Sequence, residues 1–243
     1  MTTSSFDEKR CESISENIKL IREKIEASAI KSGRNYEDIK LMAVTKTVPV
    51  EYINYSIDNC GIDLIGENKV QEFLSKKDEL HLDGVEKHLI GHLQTNKVKK
   101  IVPLVDMIQS VDSLHLAEEI SKQAQNNGIN MKILLEVNIG SEESKTGFDK
   151  SKFFEVMSQI SELPMITVNG IMTIPPICDD ENELRKYFTT MSQYFYDIKE
   201  KNYKNFNMEI LSMGMSGDYT QAIECGANLV RIGSLIYGAR IYK

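Results

Sequence analysis

The chain has 243 residues, 41% of them hydrophobic and 27% charged, which is enough for one large globular unit with a sizeable core. Its 29 Lys and Arg stand against 36 Asp and Glu, and the formal charge of −7 repels a phosphate backbone and argues against a dedicated nucleic-acid binder. The opening MTTSSFDEKRCES has no apolar h-region and no later run approaches the length of a membrane span, so no leader and no membrane segment are expected and the protein is expected in the cytoplasm.

In chain order, Ser13 to Ser32 carries Ile14, Ile18, Ile21, Ile25 and Ala29 at steps of three and four, the stripe of an amphipathic helix, with Gly33 as its C-terminal stop. A strand follows over Ile39 to Lys46, then a helix that opens with Pro49 and stops at Gly61, then a second strand over Ile62 to Gly66. That is one βαβ unit, and the pattern recurs. Further strands are predicted at Lys87 to Gly91, Met107 to Val111, Lys132 to Ile139, Ile166 to Thr173, Met208 to Met213 and Leu229 to Ile232. Among the segments between them, Asp112 is predicted to cap a helix that ends at Gly128. Asp180 to Lys201 reads as a long amphipathic helix with Leu184, Tyr187, Phe188, Met191 and Phe195 on one face.

Eight β/α repeats in a chain of about 250 residues predict an α/β fold, a single (β/α)8 TIM barrel with an extra N-terminal helix. No linker or low-complexity tract interrupts the alternation, so residues 1–243 are predicted as one domain. A doubly wound open sheet would alternate in the same way, but it usually places a Gly-rich fingerprint after its first strand, and AVTKTVPV has none. Cys11, Cys60, Cys178 and Cys225 are scattered without a CxxC pair, as expected of reduced thiols. His81, His88, His92 and His115 lack a metal-site pattern, and no metal is expected.

Barrels of this type carry function at the C-terminal ends of their strands, with phosphate commonly held after strands 7 and 8. Strand 7 runs into Met213-Gly-Met-Ser216-Gly217-Asp218 and strand 8 into Arg231-Ile-Gly233-Ser234. Gly217 and Gly233 allow close backbone approach, the segments after them read as helix starts, and Ser216 and Ser234 add hydroxyl donors. Ordinary turns with capping serines are the alternative. Lys46 closes strand 1, which adjoins strand 8 once the barrel closes, so its amine points over the same mouth; a strand-end lysine snorkelling to solvent is the alternative. An amine able to form a Schiff base beside a phosphate nest points to pyridoxal 5′-phosphate.

Asn68 either donates to a cofactor oxygen or caps the helix from Lys69 to Lys77. Arg231 is placed to bond a pyridine nitrogen, which it would keep unprotonated, or to pair with Asp218 or Glu224. Glu136 on strand 5 faces either the barrel or a helix. The loop Ser141 to Gly147 is a lid, a second ligand contact or a solvated turn. His92 reads as an acid/base or, more simply, a structural residue, and Lys97, Lys99 and Lys100 as a solvated helix face or a weak anion site.

AVTKT around Lys46, GENKVQE from Gly66, HLIGHLQTNK from His88, SKTGF from Ser144, GIMTI from Gly170, LSMGMSGDY from Leu211 and VRIGSLIYG from Val230 resemble the pyridoxal phosphate homeostasis proteins, the YggS or PROSC family. That family in turn resembles the barrel domain of alanine racemase. The resemblance covers nearly the whole chain in order. It implies pyridoxal phosphate linked as a Schiff base to Lys46, phosphate near Ser216, Gly217, Gly233 and Ser234, Arg231 near the ring nitrogen and Asn68 near the cofactor. It also implies buffering or delivery of the cofactor, in vitamin B6 homeostasis, to pyridoxal-phosphate-dependent apoenzymes, with no established reaction. Lys87 stands where an aromatic residue is expected before HLIGHLQ.

A racemase needs two acid/base groups, one on each face of its substrate. Lys46 supplies one; in the alanine racemases a tyrosine from a second domain of a partner subunit supplies the other, and such a domain is not expected here. The expected function is therefore a cofactor-binding homeostasis protein, acting as a monomer, with a weak racemase-like enzyme as the alternative and a class I aldolase as a third reading. A second cofactor site at Lys145 is left open.

Overall fold

Asp7 starts the first helix: its side chain accepts a hydrogen bond from the Lys9 N–H at 3.1 Å and opens α1 (Glu8–Lys31). The start thus lies earlier than the Ser13 predicted from the apolar stripe, because an N-terminal cap extends a helix beyond its buried face. The computed structural model describes residues 7–140, 146–149 and 153–238. Ile14, Ile18, Ile21 and Ile25 are buried along α1, each contributing about 1.5–3 kcal/mol relative to exposure. They pack the helix over α2 (Val50–Cys60), α8 (Tyr219–Glu224) and α9 (Ser234–Tyr237). The extra helix therefore backs the parts of the barrel that carry Lys46 and the two serine turns.

All eight predicted strands are present: β1 (Lys40–Val44), β2 (Leu64–Glu67), β3 (Glu86–Leu89), β4 (Met107–Val111), β5 (Met131–Asn138), β6 (Ile166–Met172), β7 (Phe206–Ser212) and β8 (Leu229–Ile232). They pair in parallel in the order β4-β3-β2-β1-β8-β7-β6-β5, and pairing of β4 with β5 closes the barrel. A two-residue strand, Phe148–Asp149, pairs with the end of β5. The fold is a (β/α)8 TIM barrel with an N-terminal helix.

Successive residues of a strand point to opposite faces, and two apolar sets separate accordingly. Met42, Leu64, Met107, Leu134, Met172, Ile210 and Leu229 fill the inside of the barrel, while Ala43, Ile65, Leu89, Ile108, Ile133 and Ile171 join the larger core under the helices. The same parity directs His88, Gln109, Ser212 and Arg231 into the lumen, all four buried.

The outer helices follow their sequence signals with local exceptions. Gly61 and Gly128, at φ 63° and 64°, close α2 and α5 (Leu114–Asn127) in the left-handed conformation that glycine adopts without strain. The N-cap of α5 is Ser113, whose Oγ accepts from the Leu116 N–H, and not Asp112; the Asp112 carboxylate accepts from the Ser113 hydroxyl and pairs with His92 at 3.1 Å. α7 (Glu181–Lys201) starts at Asp180 as predicted and buries Phe188, Met191, Phe195 and Ile198, with Leu184 and Tyr187 at the edge of that face. Lys87, in place of an aromatic, forms an ion pair with Asp106 at 2.8 Å. Among the described residues no helix is long and apolar enough to cross a membrane, and no His, Cys, Asp and Glu side chains cluster as metal ligands.

Candidate functional site

The pairing of β1 continues to Thr45, whose N–H donates to the Gly66 carbonyl at 2.9 Å, and Lys46 follows half-buried at the barrel mouth. Thr47 then adopts φ 61°, a left-handed conformation that is costly for a β-branched residue and turns the chain away from the barrel. The turn is held by its surroundings. The Thr47 N–H donates to Glu72 Oε1 at 2.5 Å, and Lys76 bonds the Thr45 carbonyl at 3.1 Å from α3 (Val70–Lys76). Glu67, buried at the end of β2, accepts from the Thr45 hydroxyl at 3.2 Å and the Asn68 N–H at 2.7 Å. Burial raises its pKa, followed by repulsion from Glu72. The backbone around Lys46 is thereby fixed to β2 and α3.

Asn68 is not the cap of α3. The N-cap position is Lys69, with no side-chain cap bond, and the Asn68 Oδ1 is a buried acceptor without a partner among the described residues. Gly91 lets the segment sit there, since a Cβ at that position would lie 2.3 Å from the Asn68 carbonyl oxygen. Asn68 therefore lies at the cavity wall, tied by its backbone, with amide capacity unspent.

After β7, Gly214 takes φ 92° where a Cβ would come within 2.6 Å of Ala222, and the Met215 N–H is capped by Asp218 Oδ1 at 2.6 Å. After β8, Gly233 lies against Val44 of β1. The helices that follow, α8 and α9, are short, so the N–H groups of the turns themselves dominate. The backbone N–H groups of Ser216, Gly217 and Ser234 have no hydrogen-bond partner among the described residues. Exposed turn amides of this kind form a nest for an anion.

Arg231 is 3% exposed and is not in a salt bridge with either Asp218 or Glu224. Its Nη1 donates to Ser212 Oγ at 2.6 Å and its Nη2 to the Thr173 carbonyl at 2.8 Å. Glu224 instead binds Lys31 and Arg185. Desolvation pulls the Arg231 pKa down to about 10, against the raising influence of Asp218 and Glu136, so it stays a cation at neutral pH.

One cavity of about 570 Å³ collects these groups: Lys46, Asn68, Ser216, Gly217, Arg231, Gly233 and Ser234 all line it. Val44, Val48 and Ile90 add apolar wall. A phosphorylated aromatic aldehyde fits this set. The unpaired amides suit the phosphate, the apolar wall suits the ring, Lys46 is the amine, and Arg231 is a fixed donor deeper in the barrel.

Sequence reasoning missed several further lining residues, among them Arg10 and Tyr237. Arg10 reaches across from α1 with its guanidinium 4.0 Å over the Tyr52 ring and 3.5 Å from the Tyr237 carbonyl oxygen. The Tyr237 hydroxyl is bonded to Ser56 Oγ at 2.8 Å and burial pushes its pKa up. His92, Lys97, Lys99, Lys100 and Glu136 do not line the cavity. Glu136 is buried, accepts from the Thr146 hydroxyl at 2.8 Å, and has a pKa raised by desolvation. Lys145 and residues 141–144 lie outside the described residues.

The family model for the alanine racemase N-terminal domain matches residues 10–241. A pyridoxal phosphate homeostasis protein of Aquifex aeolicus is 41% identical over 229 residues, covering 93% of this chain and 98% of its own. A crystal structure of an unknown protein from Bifidobacterium adolescentis superposes with a TM-score of 0.91 at 35% identity, over 95% of this chain and 97% of that one. PipY of Synechococcus elongatus, solved with pyridoxal phosphate bound, superposes with a TM-score of 0.81 at 30% identity, over 93% of this chain and 100% of that one. Identity at this level over nearly the full length, on the same barrel, means that the chain belongs to the pyridoxal phosphate homeostasis protein family.

Proposed function

We propose that this chain, acting as one alanine-racemase-like domain, binds pyridoxal 5′-phosphate at the barrel mouth and buffers or delivers it inside the cell. The observation that carries the reading is the convergence on one cavity of Lys46, Arg231 and three unpaired turn amides from segments far apart in the sequence. Lys46 would hold the cofactor through its amine, as a Schiff base with the aldehyde. Ser216, Gly217, Gly233 and Ser234 hold the phosphate, Asn68 and Arg231 orient the ring, and Arg10 adds a cation at the cavity edge. When bound, the cofactor supplies an electron sink for amino-acid chemistry, made weaker by a cationic partner at its ring nitrogen.

The lining supports a carrier over a racemase. A racemase needs a second acid/base group opposite the lysine. Among the described residues no carboxylate or histidine lines the cavity, and the Tyr237 hydroxyl is committed to Ser56. The presence of PipY with bound cofactor among the relatives supports the same ligand. Apoenzymes that require the cofactor are the proposed recipients, and the proposed working unit is a monomer in the cytoplasm.

The test is borohydride reduction of the protein loaded with pyridoxal phosphate, followed by peptide mass spectrometry. A pyridoxyl adduct on the Lys46 peptide that disappears in Lys46→Ala is expected. Failure of the wild-type protein to load, or labelling elsewhere that survives Lys46→Ala, would overturn the assignment. Exchange of amino-acid α-protons in deuterated water at enzyme-like rates would overturn the carrier reading in favour of catalysis.

A further inference from the structure

Five polar side chains, joined by four hydrogen bonds, cross the inside of the barrel in an unbroken series from Arg231 to Glu86. Arg231 Nη1 lies 2.6 Å from Ser212 Oγ, Ser212 Oγ 2.7 Å from Gln109 Oε1, Gln109 Nε2 2.7 Å from His88 Nδ1, and His88 Nε2 2.9 Å from Glu86 Oε1. Gln109 on β4 and Ser212 on β7 stand three strands apart around the closed barrel, so the middle link crosses the lumen. We infer that this chain is a positioning device for the cavity: Gln109 and His88, through Ser212, hold the Arg231 guanidinium in the one orientation that meets the cofactor ring. The inference rests on the cofactor reading above and deepens it.

The series has a single direction, and that direction follows from the groups themselves. Arginine can only donate, so Ser212 must accept from it and spend its one proton on Gln109 Oε1. The Gln109 amide then presents its NH2 to His88, which obliges Nδ1 to be the unprotonated nitrogen and places the ring proton on Nε2, facing the Glu86 carboxylate. The reversed amide would leave the Ser212 proton without an acceptor and put Nε2 of a neutral His88 against Glu86, acceptor to acceptor. One orientation therefore satisfies every member. Hydrogen bonds aligned in this way in a low-dielectric interior reinforce one another.

Packing alone does not call for such a series. The positions two residues away on the same faces, Met107, Ile210 and Leu229, belong to the apolar fill of the lumen. Polar groups in that setting cost stability unless all are paired, and an apolar layer of equal volume would serve the core as well. The anchor at each end is also specific. Thr173 fixes the other arm of the guanidinium through its carbonyl at 2.8 Å, while its own hydroxyl donates to the Val137 carbonyl at 2.8 Å. At the far end Glu86 faces His88 from its own strand and Lys40 of β1, 3.4 Å away. The bond from His88 holds the Glu86 pKa down to about 2, so the series ends on a permanent acceptor.

The test compares wild type, Gln109→Leu, Arg231→Lys and the double variant after loading with pyridoxal phosphate. The readouts are the visible absorption maximum, its pH titration midpoint and the rate of cofactor release to a scavenging apoenzyme. Gln109→Leu is expected to move the maximum or the midpoint in the same sense as Arg231→Lys and to speed release by about tenfold, and the double variant to add little more, as for residues acting through one group. An unchanged spectrum and release rate in folded Gln109→Leu, or effects that simply add in the double variant, would overturn the inference. If Gln109→Leu does not fold, Ser212→Ala and its double with Arg231→Lys decide by the same readouts. Wild-type protein that takes up no cofactor would sink the underlying reading instead, and the inference with it.

Discussion

Two polar regions meet at Arg231, and they are built on opposite rules. In the lumen every polar side chain of the series from Glu86 to Arg231 has its partner. At the rim, the N–H groups of Ser216, Gly217 and Ser234 and the carbonyl oxygen of the Asn68 amide have none among the described residues. A satisfied network stabilises and orients; unsatisfied donors and acceptors around a cavity are suited to bind a ligand. The difference separates residues whose loss unfolds or loosens the protein from residues whose loss leaves the fold intact and weakens binding.

Substitution of Arg231 by Met should produce the largest effect on stability. It strips the donor from Ser212 and the Thr173 carbonyl in a dry interior, and is expected to cost about 2–4 kcal/mol. In a chain of this size that lowers Tm by roughly 5–15 °C, read by thermal unfolding without cofactor. A shift of only a degree or two would mean the lumen is more hydrated than the burial of Arg231 implies. At the rim the same experiment should find almost nothing. Ser234→Ala is expected to stay within about 0.5 kcal/mol of wild type in stability yet lose about tenfold in affinity for pyridoxal phosphate, the worth of one charge-assisted bond. A rim variant that destabilises the unloaded protein as much as Arg231→Met would erase the distinction.

Arg10 sharpens the comparison, since it lies at the rim but comes from the far end of the chain. Removing it should weaken pyridoxal phosphate by about three- to fivefold, with less difference at high salt, and leave pyridoxal binding unchanged because that ligand lacks the phosphate. Titration of Arg10→Ala with both ligands checks this, and equal weakening of the two would place Arg10 at the ring rather than the phosphate.

The barrel was legible because each strand is a short apolar run ending near a turn, and because helices such as α2 carry their stops, Pro49 and Gly61, in the sequence. That the seven candidate residues gather around one cavity was legible for a related reason: in a barrel, position at a strand end is enough to place a side chain at the mouth. What stayed hidden depends on pairs with no local trace. Ser212 and Gln109 are separated by 103 positions, and nothing in either neighbourhood announces a bond across the lumen. Parity along β4 and β7 does announce that both point inward, and that was a usable signal. Arg10 reaches the cavity only because α1 packs on α9, a contact between the two ends of the chain. Asn68 was ambiguous between cap and ligand because its residue type suits both; the structure puts the N-cap at Lys69 and the Asn68 side chain at the cavity wall.

The smallest predicted effects are in the pH dependence, where the partly exposed Glu86 and the buried Glu136 should behave oppositely. The Glu86 pKa is lowered from 4.5 to about 2, first by its bond from His88. A depressed acid stabilises the fold above its unfolded pKa, and that contribution disappears as pH falls through the folded one. The Glu136 pKa is raised by desolvation, so its contribution is present below the unfolded carboxylate value and is lost as pH rises through the folded one. Relative to wild type, Glu86→Gln should therefore lose its stability deficit as pH is lowered from about 5 to about 2, whereas Glu136→Gln should become relatively more stable as pH is raised above the ordinary carboxylate range. Urea midpoints across that range measure both. Parallel curves for wild type and Glu86→Gln would mean that the lumen series does not end on an ionised acceptor, and the fixed direction inferred for it would lose its anchor at that end.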